Sequence, residues 1–344
     1  MTLNKPLQAL SQLGSFLQLY SSFPQHLSGF EKEQAKQLDL ALSQSLLHNS
    51  WYTKEDILWT LKQWGKTLQA LGIQRDIVQA SPCKTIALIS NEHPPLAQLH
   101  DLLCILLSGH KALIKHDVRK NPLLPALADF LISTPSFPKE CVEFTDQKLP
   151  PFDAAIVSGV KNGGYFESYL DQKPHLIRTP KASIAVLSGE ESKKEFQQLG
   201  KDLFRYYGMG SHSVSKLLVP KNYDFSSFFD GIYQWNPILQ FHKYANNYDY
   251  NKAVYLMSDF KILDNGFLVL KEDPHFQSPI ACLFYEYYQS PEHLNALLTK
   301  NKEKIQKTVS KNGEWGTSFG EAWLPKLNTH PKKNDTLAFL SSLL

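Results

Sequence analysis

"KTIALIS", residues 84–90, is a short run with several β-branched residues, which is typical of a buried strand. The apolar helical segment "PLAQLHDLLCILLSG" (95–109) follows it, and "KALIK" (111–115) is a second short apolar run. Two strands joined through a helix form a βαβ unit, in which the strands lie parallel and helices cover both faces of the sheet. This stretch therefore predicts an α/β fold with a parallel sheet.

The alternation of strands and helices continues on the C-terminal side of this stretch. The helix "NPLLPALADFLIS" (121–133) is followed by the short strands "CVEFT" (141–145) and "FDAAIVSG" (152–159). On the N-terminal side, residues 1–80 carry apolar residues at intervals of three and four, and Thr53 is an expected helix N-cap with acidic residues in the first turn. We therefore predict an N-terminal helical segment over residues 1–80.

A second α/β unit follows a linker-like stretch that Pro174 and Pro180 punctuate. The predicted helices of this unit are "SKKEFQQLGKDLFRYYG" (192–208) and "FSSFFDGIYQW" (225–235). Its predicted strands are "SIAVLSG" (183–189), "SVSKLLVP" (213–220), "AVYLM" (253–257), "GFLVLKE" (266–272) and "PIACLFYEYY" (279–288). The basic segment 300–316, which is poor in apolar residues, then leads into a short tail.

The composition excludes several classes of protein. The formal charge of +3 comes from 36 basic and 33 acidic residues, and no basic stripe interleaved with aromatic residues indicates a nucleic acid as the main partner. The start lacks the apolar core of a signal peptide, and the longest apolar run is too short to span a bilayer. The four cysteines have neither CxxC spacing nor the density of a disulfide framework, so we expect a cytoplasmic protein without a metal site.

"GMGSHSVSKLLVP", residues 208–220, places a small nucleophile between a predicted helix and a predicted strand. The nucleophile is Ser211, and it lies between Gly210 and His212. A glycine lets the backbone approach a substrate closely, and a chain amide in such a turn can donate a hydrogen bond to a developing oxyanion. This pattern predicts an active site around Ser211 and Gly210.

Several stretches together resemble the acyl-CoA reductases of LuxC type, in their short Bacteroidetes-like form, within the aldehyde dehydrogenase superfamily. The stretches are "SGHKALIK", "FRYYGMGSHSVSKLLVP", "KYANNYDYNKAVYLM", "LDNGFLVLKED" and "SPIACLFYEYY". They cover the chain in order from about residue 85 to residue 290, and "SFG" (318–320) stands where the superfamily has a Pro-Phe-Gly turn. The resemblance implies two Rossmann-like α/β domains, and we expect a dinucleotide-binding domain (81–177), an acyl-transfer domain (178–315) and a C-terminal tail (316–344) that returns to the first domain.

The resemblance also implies a function in fatty acid metabolism. A cysteine thiolate of the family attacks a long-chain acyl thioester of coenzyme A or of acyl carrier protein, and NADPH then reduces the enzyme-bound acyl group to an aldehyde. The expected association is a homo-oligomer or a complex with acyl-activating enzymes.

This chain departs from the family at the nucleophile, because Ser211 stands at the cysteine position. A serine is barely ionised at neutral pH, and its acyl ester accepts hydride less readily than a thioester. His93 stands where the family has an asparagine that helps to hold the oxyanion, unless a shifted register places Asn91 there. Three interpretations stay open: a reductase, a serine acyltransferase or thioesterase that uses His93 or His212 as base, and a non-catalytic scaffold.

The cofactor residues that the resemblance implies lie at two strand ends. The segment Ser158-Gly159-Val160, with Gly163 after it, occupies the position of the family's Thr-Gly-Ser turn. Lys115 matches the lysine that reaches the adenosine ribose, and Asp117 stands where a small hydroxyl residue is usual. A carboxylate there would repel the 2′-phosphate of NADPH, although Arg119 is close enough in sequence to offset it. We therefore expect weakened dinucleotide affinity and a loss of the preference for NADPH over NADH.

Overall fold

The computed structural model describes residues 4–70, 82–90, 94–135, 137–160, 163–327 and 335–343. His93 and Asn91, which the sequence analysis considers for the oxyanion, lie outside these described residues. The chain divides into two compact units, Met1–Pro180 with Pro325–Leu344, and Lys181–Leu324. The tail predicted over 316–344 is thus split, because its first nine residues (316–324) belong to the second unit.

The described helices and strands alternate over most of the chain. The α-helices are α1 (Asn4–Ser22), α2 (Gly29–His48), α3 (Lys54–Ala70), α4 (Leu99–Leu107), α5 (Leu123–Ile132), α6 (Gly163–Leu170), α7 (Lys193–Phe204), α8 (Ser226–Ile232), α9 (His242–Met257), α10 (Pro291–Lys300) and α11 (Thr336–Ser341). The strands are β1 (Thr85–Ser90), β2 (Lys111–Lys115), β3 (Val142–Thr145), β4 (Ala154–Ser158), β5 (His175–Arg178), β6 (Ala182–Val186), β7 (Val214–Pro220), β8 (Ile262–Asp264), β9 (Val269–Glu272), β10 (Cys282–Tyr288), β11 (Ile305–Ser310) and β12 (Thr317–Ser318). None of the described helices combines the length and the apolar character that a bilayer-crossing segment needs.

The first unit contains a five-stranded sheet in the order β3-β2-β1-β4-β5, with every pair of neighbours parallel. The prediction of an α/β fold with a parallel sheet is therefore confirmed. In sequence order the strands run outward from β1 to one side and then from β4 to the other. The junction of β1 and β4 is consequently a topological switch point, where open α/β sheets bind ligands outside the carboxyl ends of their strands.

The core of the first unit explains why the opening stretch is so apolar. The central residues of β1 and nearly the whole of α4 are buried, and most of them belong to one cluster with the inner faces of α1, α2 and α3, whereas Ala87 of β1 belongs to a second cluster with residues of β4 and α6. A helix that is apolar on all sides is expected where neighbours cover it all round. One element differs from the prediction: the stretch between Pro174 and Pro180 contains strand β5, which pairs along the edge of β4 and has no fully buried residue.

The second unit contains a seven-stranded sheet in the order β12-β11-β6-β7-β10-β9-β8, and β8 is antiparallel to β9. The basic segment 300–316, in which the sequence pattern predicts no strand, contributes β11, which pairs with β6. Its strand character is weak in the sequence because only Val309 and Ser310 of the strand are buried.

The prediction of a strand at 253–257 is wrong, because these residues form the last turns of α9. The buried residues of α9 are Tyr244, Tyr248, Asn251 and Tyr255, which recur at intervals of four, three and four. Five residues are too few to reveal a period of 3.6, whereas the whole sixteen-residue element does.

Gly231→Ala is expected to destabilise the second unit by about 1–3 kcal/mol through overpacking. A Cβ atom at Gly231 would lie only 2.3 Å from Cβ of Phe196, so α7 and α8 would have to separate. Gly164→Ala is the matched control, because no atom lies within 4 Å of its added Cβ. Chemical denaturation monitored by tryptophan fluorescence would measure both variants, and equal stability of the two would contradict the expectation.

Candidate active site

The loop that carries Ser211 reverses the chain sharply between α7 and β7. A short 3₁₀ turn, Arg205–Gly208, contains Tyr206 (φ 51°) and Tyr207 (φ 60°), both in the left-handed region. Gly208 (φ 76°) and Gly210 (φ 94°) continue the positive dihedral angles. Non-glycine residues in this region cost on the order of 1 kcal/mol each, and such strain is concentrated at functional sites.

Hydrogen bonds hold the strained turn in one conformation. Ser183 Oγ on β6 donates to the carbonyl of Ser211 at 2.7 Å. The N–H of Ser213 donates to the carbonyl of Gly210 at 3.1 Å, and Ser213 Oγ donates to the carbonyl of Met209 at 3.2 Å. Gly210 is exposed and Ser211 is half-buried. The turn therefore presents Ser211 from a fixed backbone beside an open approach.

Aromatic side chains pack against the same loop. Tyr207 stacks on Phe241, the residue before α9, with ring centroids 4.0 Å apart and planes 17° apart. Trp323 contacts Tyr206 edge-on at 4.6 Å and His212 at 5.3 Å. The residue that precedes α9 therefore packs against the loop that carries Ser211.

Ser211 Oγ has no hydrogen bond to another side chain among the residues that the structure describes. The imidazole of His212 is half-buried, and its ring centroid lies 5.3 Å from that of Trp323. A serine needs an adjacent base to become a strong nucleophile. Among the residues that the structure describes, no side chain is therefore placed as a base on this candidate nucleophile.

The predicted cofactor residues lie at the carboxyl edge of the five-stranded sheet. Lys115 ends β2, Ser158 ends β4, and both strands flank β1, where Ser90 pairs with Ser158. Gly159 follows with φ 72°, which favours glycine, and α6 begins at Gly163. The backbone thus forms the strand, glycine turn and helix N-terminus that suit a pyrophosphate.

The side chains at this edge are already engaged with protein groups. Ser158 Oγ donates to Asp101 at 3.3 Å and accepts from Arg178 Nε at 3.1 Å. Lys115 Nζ donates to the carbonyls of Asp146 at 2.5 Å and Gln147 at 2.7 Å. A dinucleotide would have to replace these bonds to use either side chain. The backbone at this edge therefore fits a dinucleotide. The side chains of Lys115 and Ser158 could bind one only after breaking their present hydrogen bonds.

Val160 is half-buried and packs with the apolar cluster beside β4, so its side chain supplies no hydrogen bond to the turn. Gly163 is buried, and a Cβ atom there would lie 3.0 Å from the methyl group of Thr179. Glycine at position 163 thus lets α6 begin close to the chain that follows β5.

Asp117 lies two residues beyond β2 within a charged group. Its carboxylate is 3.6 Å from Arg119 Nε and 3.2 Å from Lys120 Nζ, and it accepts the backbone N–H of Arg119 at 3.1 Å. Arg119 also pairs with Asp146 at 3.0 Å. Arg119, the residue expected to offset Asp117, is therefore directly in contact with it, and Lys120 is a second basic neighbour.

Asp117→Ser is expected to raise the affinity for NADPH relative to NADH. Removing one negative charge about 5 Å from a 2′-phosphate in a water-like dielectric gains roughly 1–2 kcal/mol, which is about tenfold in the affinity ratio. Isothermal titration of both cofactors measures the ratio, and Asp146→Asn is a control that removes a charge bound to the same Arg119. An unchanged ratio in Asp117→Ser would show that Arg119 and Lys120 already neutralise the carboxylate.

A buried polar cluster that no sequence pattern predicted contacts Ser158 at the end of β4. Asp101 on α4 pairs with Arg178 Nη2 at 2.5 Å, accepts from Thr336 Oγ1 at 2.6 Å, and lies 3.2 Å from His100 Nδ1. Burial alone would raise the pKa of Asp101, but the charge of Arg178 and its hydrogen-bonding partners hold that pKa well below the usual range. The one available signal was an acidic residue inside the apolar helix "LHDLLCILL".

Arg178 connects this cluster to the glycine turn. Besides Asp101, its guanidinium donates to Ser158 and to Thr336 Oγ1, and its carbonyl accepts the N–H of Gly159 at 3.0 Å. Asp101 and Arg178 therefore fix the end of β4, and Thr336 of α11 supports both of them through hydrogen bonds.

No protein-family model matches the chain, and no curated protein sequence matches it either. Solved structures do resemble it. One is described as a methylmalonate-semialdehyde dehydrogenase from Sinorhizobium meliloti complexed with NAD; it has 13% identity and a TM-score of 0.58, over 92% of this chain and 74% of that one. An aldehyde dehydrogenase from Mycobacterium tuberculosis complexed with NAD⁺ has 12% identity and a TM-score of 0.55, over 89% of this chain and 77% of that one.

A mutant of the betaine aldehyde dehydrogenase of Staphylococcus aureus, in its apo form, has 10% identity and a TM-score of 0.57, over 90% of this chain and 78% of that one. At such identities the likeness shows the fold alone. The chain therefore has the aldehyde dehydrogenase fold, and the fold that the resemblance implied is confirmed.

Proposed function

We propose, from the aldehyde dehydrogenase fold and the loop that presents residue 211, that the protein is an NAD(P)H-dependent reductase of a long-chain acyl thioester. The observation that carries this proposal is the strained, hydrogen-bonded turn that places Ser211 between α7 and β7 beside exposed Gly210. The resemblance to acyl-CoA reductases of LuxC type supplies the substrate class. The three solved structures described above contribute only the fold.

The reaction proceeds through an acyl-enzyme. Ser211 Oγ attacks the thioester carbonyl carbon, the carbon–sulfur bond breaks, and the thiol leaves with the proton that the serine loses. A dinucleotide held at the Gly159 turn would supply the hydride that converts the acyl ester into a hemiacetal oxyanion. The bond between the acyl carbon and Ser211 Oγ then breaks, the serine oxygen takes a proton from water, and the aldehyde is released.

The chain's own residues define how this reaction is supported. Exposed Gly210 leaves room for the thioester carbonyl to reach the turn, and Ser183 holds the Ser211 carbonyl in place. The Gly159 turn and the start of α6 would hold the pyrophosphate, and Lys115 would reach the ribose after leaving its two carbonyl partners. A serine in place of a cysteine and the engaged cofactor donors both favour a slow enzyme.

The proposed setting is the cytoplasm and fatty acid metabolism. The acyl carrier is coenzyme A or acyl carrier protein, and the cofactor is NADPH or NADH. An acyl-activating enzyme, or a second copy of this chain, is the proposed protein partner. Serine-based acyl transfer or hydrolysis, and a scaffold without chemistry, are the alternatives that the same experiment separates.

Intact-protein mass spectrometry after incubation with palmitoyl-CoA tests the proposal. We expect one palmitoyl adduct, mapped to Ser211 and absent in Ser211→Ala, while the control Ser226→Ala, on the exposed start of α8, keeps it. Addition of NADPH should remove the adduct and release hexadecanal. Release of palmitate, or transfer of the palmitoyl group to an acceptor, would indicate a thioesterase or an acyltransferase instead of a reductase. A protein mass that never changes would contradict any acyl-enzyme.

A further inference from the structure

Asp202 is a fully buried carboxylate near the end of α7, outside the loop that carries Ser211. Its Oδ2 accepts the N–H of Gly320 at 2.6 Å, and its Oδ1 accepts the N–H of Ala322 at 3.0 Å. Burial raises the pKa of Asp202, and the two N–H groups and the nearby Lys307 and Lys201 lower it. The effect of burial is larger, so the pKa is raised to about 7. Hydrogen bonds to a charged acceptor are about twice as strong as neutral ones. The carboxylate therefore anchors residues 320–322 to α7.

The anchored segment is also held from other directions. Lys307 Nζ on β11 donates to the carbonyl of Ala322 at 2.5 Å, so both polar groups of that residue are engaged. Gly320 has φ 87°, and a Cβ atom there would lie 3.0 Å from Oε1 of Gln198 on α7. The left-handed φ of Gly320 favours glycine, and an added Cβ atom would crowd Gln198 on α7.

Trp323, the next residue, transmits this anchoring to the active-site loop. Its ring contacts Tyr206 at 4.6 Å and His212 at 5.3 Å, on both sides of Ser211 in the sequence. Trp323 and Tyr206 are buried, and closely packed interiors transmit displacements. A shift of Ala322 would therefore move the indole against the two residues that bracket the turn.

We propose that Asp202 is a positioning residue for the loop 206–213, acting through residues 320–322 and Trp323. Asp202 need not contact the substrate, because it acts through the Trp323 indole, against which Tyr206 and His212 pack. The consequence for acyl transfer rests on the proposed function, whereas the consequence for the order of the loop does not.

Hydrogen–deuterium exchange with mass spectrometry tests the positioning itself. At pH 8, where Asp202 is mainly ionised, Asp202→Asn should raise the exchange of the 206–213 peptide about tenfold or more, because a local opening becomes easier. Asp230→Asn is the matched control, since it makes the same chemical change at an exposed site on α8. Trp323→Leu should deprotect 206–213 while leaving Asp202 intact.

The double variant Asp202→Asn with Trp323→Leu distinguishes an effect that passes through Trp323 from a general loss of structure. If the effect passes through Trp323, the double variant should exchange at 206–213 no faster than Trp323→Leu alone. Additive effects, or unchanged exchange at 206–213 in Asp202→Asn, would overturn the proposal. Alkylation of the buried Cys282 by iodoacetamide reports global unfolding in every variant, and should stay slow.

A kinetic experiment tests the consequence for acyl transfer. It uses the Ser211→Cys variant, whose acylation by palmitoyl-CoA is followed over time by intact-protein mass spectrometry. Adding Asp202→Asn should lower the saturating acylation rate constant by about tenfold or more, with a half-saturating concentration within about twofold, because a small misplacement of the nucleophile slows attack more than binding. An unchanged rate constant would refute the catalytic consequence. If Ser211→Cys itself is never acylated, the proposed function fails, and the exchange experiment still decides whether Asp202 positions the loop.

Discussion

Ser211→Cys is expected to raise aldehyde formation from palmitoyl-CoA by on the order of 10²-fold or more, because a thiol ionises without the general base that is typically worth 10²–10⁴-fold. A cysteine of ordinary pKa is a few per cent thiolate at neutral pH, whereas a serine hydroxyl is essentially un-ionised. The described structure places no base in a hydrogen bond to Ser211 Oγ. The substitution also replaces the acyl ester with a thioester, which accepts hydride more readily, so both steps gain.

The measurement is aldehyde release together with NADPH oxidation, at matched concentrations of wild type and variant. Ser213→Cys is the matched control, because Ser213 lies two residues along the same loop but is buried and bonded to Met209. We expect no gain from it. A fall in acyl turnover on Ser211→Cys, with a parallel fall on His93→Ala, would favour serine chemistry over reduction, and no effect of either would favour the scaffold.

Asp101→Ala is expected to destabilise the first unit by about 3 kcal/mol, at the lower end of the range for breaking a buried ion pair, because Asp101 is buried but the Arg178 side chain is 30% exposed and water can partly compensate its charge. Arg178 would lose the carboxylate at 2.5 Å, and Thr336 would lose its acceptor. Because Arg178 also holds Ser158 and the Gly159 turn, the same change should weaken dinucleotide binding. Hydrogen exchange of α4 and β4 peptides against denaturant measures the stability of this unit.

Glu33→Ala is the control for that prediction, since it removes an exposed ion pair with Lys36 at 3.0 Å in the same unit. Its effect should stay below about 1 kcal/mol. A comparable loss of unfolding free energy in the two variants would show that the Asp101 cluster stabilises the unit no more than an exposed ion pair does.

The ion pair also predicts how stability depends on pH. The pKa of Asp101 is lower in the folded chain than its ordinary value of about 4, so the pair contributes fully above that pH and its contribution is lost as the pH falls below it. Asp101→Asn should flatten this acid limb of the stability profile. An unchanged acid limb would assign the dependence to other carboxylates.

Local patterns in the sequence were sufficient for the alternating elements of the fold. The run 84–115 predicts a strand, a helix and a strand, and β1, α4 and β2 form there with parallel pairing. The glycines around Ser211 predicted a turn between helix and strand, which the structure contains. The identity of residue 211 belongs wholly to the sequence, because a backbone turn of this shape accommodates serine and cysteine alike.

Short or weakly patterned elements escaped the sequence analysis for a physical reason. Strands β5 and β11 bury few side chains, so their β character comes from backbone pairing with β4 and β6 rather than from an apolar period. The end of α9 has the composition of a strand, and the contacts of the whole helix override that local preference.

Only the tertiary structure decided which polar groups support the two candidate sites. Asp101 meets Arg178 and Thr336, which lie 77 and 235 positions further along the chain, and Asp202 meets Gly320 at a separation of 118. No local propensity encodes such pairs, because each forms only where folding removes both partners from water and leaves each as the other's hydrogen-bonding partner. The sequence by itself therefore determined the fold class and singled out Ser211 as the candidate nucleophile, and the packed chain determined which groups hold the loop of Ser211 and the Gly159 turn in place.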